Sequence, residues 1–72
     1  MEKIGFNIGK KIRSLRVEKG LSQEKLSYMA GVDRTYLPDI ENGNRRISVE
    51  ILHRITNALE VRLSDFFKEI DL

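Results

Sequence analysis

The sequence predicts an all-α domain, a compact bundle of five short helices. Three observations carry this. Apolar residues recur at intervals of three and four, the stripe of a helix with one face turned inward. Small polar residues that cap helix starts stand just ahead of several of these stripes, and glycines stand just after them. No stretch alternates apolar and polar residues as a strand ladder requires, and no repeat, low-complexity tract or interdomain linker interrupts the pattern. The chain has 72 residues. A chain of that size supports one domain and one modest core, so residues 1–72 are taken as a single domain.

The first helix is drawn by Ile4, Ile8, Ile12 and Leu15, with Lys10, Lys11, Arg13 and Lys19 mostly off the stripe. Gly20 is placed to end it in a left-handed cap. Gly5 and Gly9 are expected to weaken its first turns, so that it begins late or frays. The second helix opens at Ser22, whose hydroxyl can accept from a free first-turn amide. Leu26, Met29 and Ala30 supply its inward face, and Gly31 stops it. Asp33 reads as the cap of a third helix running through Arg34, Thr35 and Tyr36 to Glu41, with Leu37 and Ile40 buried. Asn42-Gly43-Asn44 is a turn cluster. Ser48 then caps a fourth helix with Leu52, Ile55 and Leu59 inward, and Ser64 with Asp65 starts a short fifth helix through Phe66 and Phe67.

Residues 22–41 form the informative unit: a short helix, a tight turn at Gly31-Val32, and a second short helix. Gly31 tolerates the left-handed backbone such a turn needs, Val32 plugs the gap, and Ala30 lets the helices approach closely. The polar outer face of the second helix is sized for the major groove, which is about 12 Å wide. A hairpin used only for packing would share the apolar positions. It would not need Gln23 at one helix start together with Arg34, Thr35 and Tyr36 at the next. The net charge of +2 is also unevenly spread. Residues 1–20 carry six basic and two acidic side chains, and residues 47–72 carry three basic and five acidic. A basic front and an acidic back suit a protein that turns one side to a polyanion.

These residues carry a resemblance. Ser22-Gln23-x-x-Leu26-x-x-x-Ala30-Gly31-Val32, then Tyr36, Ile40-Glu41-Asn42-Gly43 and Leu52-x-x-Ile55-x-x-x-Leu59 resemble the Cro/C1-type (XRE) helix-turn-helix family. Within it, Asp33-Arg34-Thr35-Tyr36 and the short length are most similar to the controller proteins of restriction–modification systems. The resemblance implies a lambda-repressor-like fold and a transcriptional regulator that binds double-stranded DNA in a sequence-specific way, as a homodimer on a palindromic operator. It implies a phosphate anchor at Gln23, beside Ser22, where helix amides and the dipole favour an anion. It places base-reading side chains at Arg34 and Thr35. An arginine can grip guanine O6 and N7 with two bonds, and a threonine methyl can meet that of thymine. Tyr36 suits either a phosphate hydrogen bond or packing across the turn. Asp39 suits either cytosine N4 or an ion pair with Arg34. Asn42, Asn44, Arg45 and Arg46 form the loop that the family lays along the DNA backbone. Arg16 and Glu41 match positions that pair to tie the first helix to the end of the recognition helix, and Arg16 can also face a phosphate.

Two departures from the family pattern stand out. Pro38 falls at about the fifth residue of the expected recognition helix, where a proline costs about 3 kcal/mol. That implies a distorted helix or a displaced first turn. Glu60 occupies a position where the family often has glycine, which implies a looser turn.

Residues 47–72 supply no site chemistry, and the C-terminal helices, about residues 48–69, are the expected dimerisation region. Ile51, Leu63, Phe66 and Phe67 either close the core or form a two-fold dimer interface, which the controller resemblance favours. The composition bounds the rest. There is no cysteine and one histidine, His53, expected to face solvent. Disulfides and thiolate or histidine metal sites are therefore excluded. With no glycine-rich phosphate loop or nucleophile constellation, the chain is expected not to be an enzyme and to need no cofactor or small-molecule ligand. No apolar run approaches the roughly 20 residues that cross a bilayer, and no signal-peptide pattern opens the chain. The expected setting is the cytoplasm. The rival reading is a protein-interaction module on the same fold, such as an antitoxin or a phage-type regulator. An antitoxin is disfavoured because the domain uses almost all of the residues.

Overall fold

The computed structural model describes residues 2–70, with side chains from Ile4 onward. Five helices follow one another: α1 (Glu2–Glu18), α2 (Gln23–Ala30), α3 (Tyr36–Glu41), α4 (Val49–Ala58) and α5 (Leu63–Lys68). No strand occurs among the described residues. α2 packs on α4, α1 on α3, and α5 closes against α4. The domain measures 28 × 23 × 21 Å along its principal axes.

One core holds these helices. Ile12, Leu26, Leu37, Ile40, Leu52, Ile55, Leu59 and Phe66 meet in its centre, with Ile8, Ala30 and Val32 at its edge. The expected stripes account for most of it. Ile4 and Met29 are the exceptions, exposed at 47% and 46%. On α2 the inward position that Met29 was expected to fill is taken by Ser27, whose hydroxyl is buried without a hydrogen-bond partner. Phe66 is fully enclosed and stacks edge-on against Phe67 at 5.6 Å. It is therefore a core residue, with no surface to offer a second copy.

The caps form largely as the side-chain chemistry requires. Ser22 Oγ accepts from Lys25 N at 2.9 Å and Ser48 Oγ from Ile51 N at 3.1 Å, each satisfying one amide of a first turn. Gly20 and Gly31 close α1 and α2 with φ of 71° and 68°. The fifth helix starts one residue earlier than its sequence signals suggest, with Arg62 at the cap position and no side-chain cap bond.

The glycines of α1 do something other than fray it. α1 is continuous, and a Cβ on Gly9 would lie 2.2 Å from the Ile40 carbonyl oxygen and 2.7 Å from that of Glu41. The helix is bare there because the C-terminal end of α3 crosses it at backbone distance. Gly43, at φ 76°, meets the Phe6 backbone in the same way, with a Cβ position 2.8 Å from Phe6 Cα. The conformational cost of a glycine in a helix is thus exchanged for a close crossing that fixes where α3 lies.

Glu60 takes a left-handed backbone, φ 61°. The turn after α4 keeps the bonds Glu60 N to Asn57 O (3.0 Å) and Val61 N to Thr56 O (2.9 Å). The glycine's absence does not loosen the turn. It leaves a non-glycine residue in a conformation that crowds Cβ against the backbone.

Candidate nucleic-acid interface

The geometry of the helix-turn-helix answers the question set by Pro38. α3 begins at Tyr36, not at Arg34, so Pro38 is its third residue. Amides of a helix's first turn have no carbonyl to bond within the helix, and a proline there removes a donor that has no use. The displaced start, rather than a kink, accommodates the ring. Asn42 N still reaches Pro38 O at 3.0 Å, so the last turn is regular.

The displacement moves Arg34 and Thr35 off the helix and into the turn that precedes it. Asp33 does not cap α3; it locks this turn. Its Oδ1 accepts from Thr35 N at 2.8 Å and from the Thr35 hydroxyl at 2.7 Å, and Tyr36 N closes on Asp33 O at 3.0 Å. These bonds from Thr35, with a smaller contribution from the Arg34 charge, hold the Asp33 carboxyl below its ordinary value of 3.8. The Thr35 hydroxyl hydrogen is thereby committed to Asp33.

Three side-chain contacts join the start of α2, the turn, α3 and the following loop into one surface. Arg34 Nη1 donates to Glu24 Oε2 at 2.9 Å, with both side chains about as open to solvent, 72% and 73%. Arg34 therefore pairs across the turn with α2, not with Asp39 on α3. Gln23 Nε2 donates to Glu41 Oε1 at 3.1 Å. The Arg45 guanidinium lies over the Tyr36 ring, 4.1 Å from its centroid, so the ring packs against the loop. Asn42 ends α3, and Asn44 N bonds to Asp39 O at 2.9 Å. Ser22, Asp39, Asn42, Asn44, Arg45 and Arg46 are all exposed, as are Arg34, Thr35 and Tyr36.

Behind this surface lies a buried ion pair. Arg16 donates to Glu41 from Nε (2.7 Å) and Nη2 (3.1 Å), while its Nη1 bonds the Leu21 carbonyl at 2.8 Å. The Glu41 side chain is 2% exposed and that of Arg16 12%. Two parallel bonds from one edge of a guanidinium make a strong, directional pair. Here it ties α1 to the last residue of α3, beside the Gly9 crossing.

Two members of this neighbourhood carry no local sequence signal. Glu24 has a partner ten residues away across the turn. Arg54, on α4, reaches the carbonyl of Gly31 at 3.4 Å while pairing with Glu50 at 3.1 Å, steadying the turn from below. No cluster able to hold a metal ion occurs among the described residues, and no helix among them is long and apolar enough to cross a membrane.

Comparison with known proteins agrees with this geometry. A family model described as Helix-turn-helix matches residues 12–66. The control protein C.MunI of Mycoplasma sp is 40% identical over 72 residues, an alignment covering 99% of this chain and 97% of that protein. The crystal structure of the restriction-modification controller protein C.AhdI from Aeromonas hydrophila superposes with a TM-score of 0.83 at 35% identity, covering 86% of this chain and 94% of that one. The controller protein C.Esp1396I, solved as a tetramer in complex with its natural 35 base-pair operator, gives 0.82 at 36% identity, covering 88% and 83%. The chain belongs to the helix-turn-helix family, among relatives that include the restriction–modification control proteins.

Proposed function

We propose that the protein is a transcriptional regulator that binds duplex DNA in a sequence-specific way, acting as a restriction–modification controller. The observation that carries this is the exposed, contiguous surface built from the α2 start, the Arg34–Thr35 turn and the Arg45–Arg46 loop. It is held from behind by the Arg16–Glu41 pair. The operator complex of C.Esp1396I supports duplex DNA as the partner.

In this reading Arg34 reads a base pair, and Thr35 offers its methyl to another. Gln23, with Ser22 beside it, anchors a phosphate at the start of α2, with its amide aimed by Glu41. Arg46, which makes no hydrogen bond or ion pair among the described residues, neutralises a phosphate. Arg45 does the same from its seat on Tyr36. Asn42 and Asn44 line the same loop, and Asp39 faces outward from α3 as a base acceptor. Two copies pair through α4 and α5, where Ile51, Leu63 and Phe67 are partly exposed against the core. Phe66 supports that surface from inside. The family is one of regulators rather than enzymes, and no catalytic constellation is assigned.

Titrating the protein with duplex DNA at rising salt tests the reading. Neutralising several phosphates releases counterions, so affinity should fall linearly on a log–log plot with a slope of several units. Flat or undetectable duplex binding at moderate salt would instead mark an interaction module.

A further inference from the structure

We propose that Glu24 is a positioning residue for base recognition: it fixes which edge of the Arg34 guanidinium faces the groove. The inference rests on Arg34 reading a base pair, as proposed above.

A guanidinium has one edge with two parallel donors beside its stem, Nε–H and Nη2–H. That edge matches two acceptors side by side, whether a carboxylate or guanine O6 and N7. The protein shows this partition at Arg16. There Nη1 is held by the Leu21 carbonyl, and the Nε–Nη2 edge grips Glu41 with two bonds. Arg34 has the same first half. Its Nη1 is held by Glu24 at 2.9 Å, and no other hydrogen bond of its guanidinium is formed among the described residues. The Nε–Nη2 edge is left to a ligand with two adjacent acceptors.

The rest of the turn does not constrain this side chain. Asp33 and Thr35 lock the backbone around Arg34 through their own bonds, but Arg34 itself is 72% exposed. Without Glu24 the long side chain would sample its rotamers freely and would lose that freedom on binding. Glu24 is well placed to hold it. As the second residue of α2 it lies where the helix dipole favours an anion. Its position near the phosphate-facing surface is otherwise unfavourable, because a carboxylate repels phosphates. Removing Glu24 should therefore do two opposite things: strengthen binding to any duplex through lost repulsion, and weaken the preference for the base pair that Arg34 reads.

The test uses a duplex recovered by selection from random DNA and a set in which each of its base pairs is changed singly. Kd ratios are measured for the wild-type chain and for Glu24→Ala, Glu24→Gln, Arg34→Ala and Glu24→Ala/Arg34→Ala. Both residues are exposed, and matching thermal melts would verify folding. Arg34→Ala should reduce the preference at one base pair by about tenfold or more. Glu24→Ala should reduce it at that same base pair by about two- to fivefold, the scale of an exposed ion pair. Binding to unselected duplex should hold or tighten. Glu24→Gln, which keeps an acceptor oxygen, should recover part of the preference. In the Arg34→Ala background, Glu24→Ala should change no ratio. If Glu24→Ala leaves the preference at Arg34's base pair unchanged, or raises it, Glu24 is a bystander or a brake and the inference fails. If Arg34→Ala itself alters no ratio, the base-reading role of Arg34 fails instead.

Discussion

The helix-turn-helix holds two arginine–glutamate pairs of similar length and opposite character, one behind α3 and one across the turn that precedes it. On the inner side Arg16 and Glu41 meet at 2.7 Å with the carboxylate side chain 2% exposed; on the outer side Arg34 and Glu24 meet at 2.9 Å with both side chains mostly in water. The inner pair uses all three guanidinium nitrogens within the protein, and the outer pair uses one. The inner side also carries the Gly9 crossing, where two backbones touch. One side of the recognition unit is thus fixed by buried polar bonds and close packing. The other is kept short of partners. A domain this small can thus present a charged, solvent-exposed outer surface because the buried bonds and close packing lie behind it.

Breaking the inner side should have the largest effect. Glu41→Ala leaves the Arg16 guanidinium and the Gln23 amide without their acceptor in a largely enclosed site, and should cost about 3–5 kcal/mol in chemical denaturation. A loss below about 1 kcal/mol would place the pair with ordinary surface bridges. Gly9→Ala comes next. The added methyl meets backbone carbonyls on α3 that cannot rotate aside, so α1 and α3 must part. The expected cost is about 3 kcal/mol, from stability that totals only about 4–11 kcal/mol for a domain of this size. The same variant should bind DNA more weakly even where it remains folded, because α3 is displaced. Unaltered melting would show that the crossing is looser than the structure has it.

The smallest effect tests a turn away from both sides. Glu60 holds the left-handed position after α4 that Gly31 holds after α2, at φ 61° against 68°. Glu60→Gly relieves the crowding of a Cβ there, offset in part by the greater freedom of an unfolded glycine. The net gain should be about 0.5–1 kcal/mol, or a few degrees in Tm. DNA affinity should not move. A lower Tm would mean that the exposed Lys19–Glu60 contact at 3.4 Å contributes more than such contacts usually do.

The comparison also shows what could be read from the residues. Features whose cause is local were legible: the Ser22 and Ser48 caps, the left-handed Gly20 and Gly31, and the helical stripes through Ile12, Leu26 and Ile55. The Arg16–Glu41 pair, 25 residues apart, was legible only through family resemblance. Features caused by contacts distant in sequence were misread or missed. Gly9 looked like a helix weakness because its reason, the end of α3, is some thirty residues away. Met29 fits the apolar stripe of α2, yet it is exposed and Ser27 is buried in its stead. Phe66 and Phe67 are adjacent and alike, and only the docking of α5 decides that the first is enclosed. Pro38 signalled either a distorted helix or a displaced first turn, and only the folded chain decides for displacement; the residue that then holds Arg34, Glu24, is paired only across the folded turn.

If the proposed function holds, the outer side of this unit recognises one DNA sequence. Selection from random duplex DNA followed by footprinting tests it most directly. The recovered site should have two-fold symmetry with half-sites about one helical turn, roughly 34 Å, apart. The footprint should be lost with Arg34→Ala and Arg46→Ala combined. Recovery of no sequence above the random background, or a footprint indifferent to that double substitution, would contradict it.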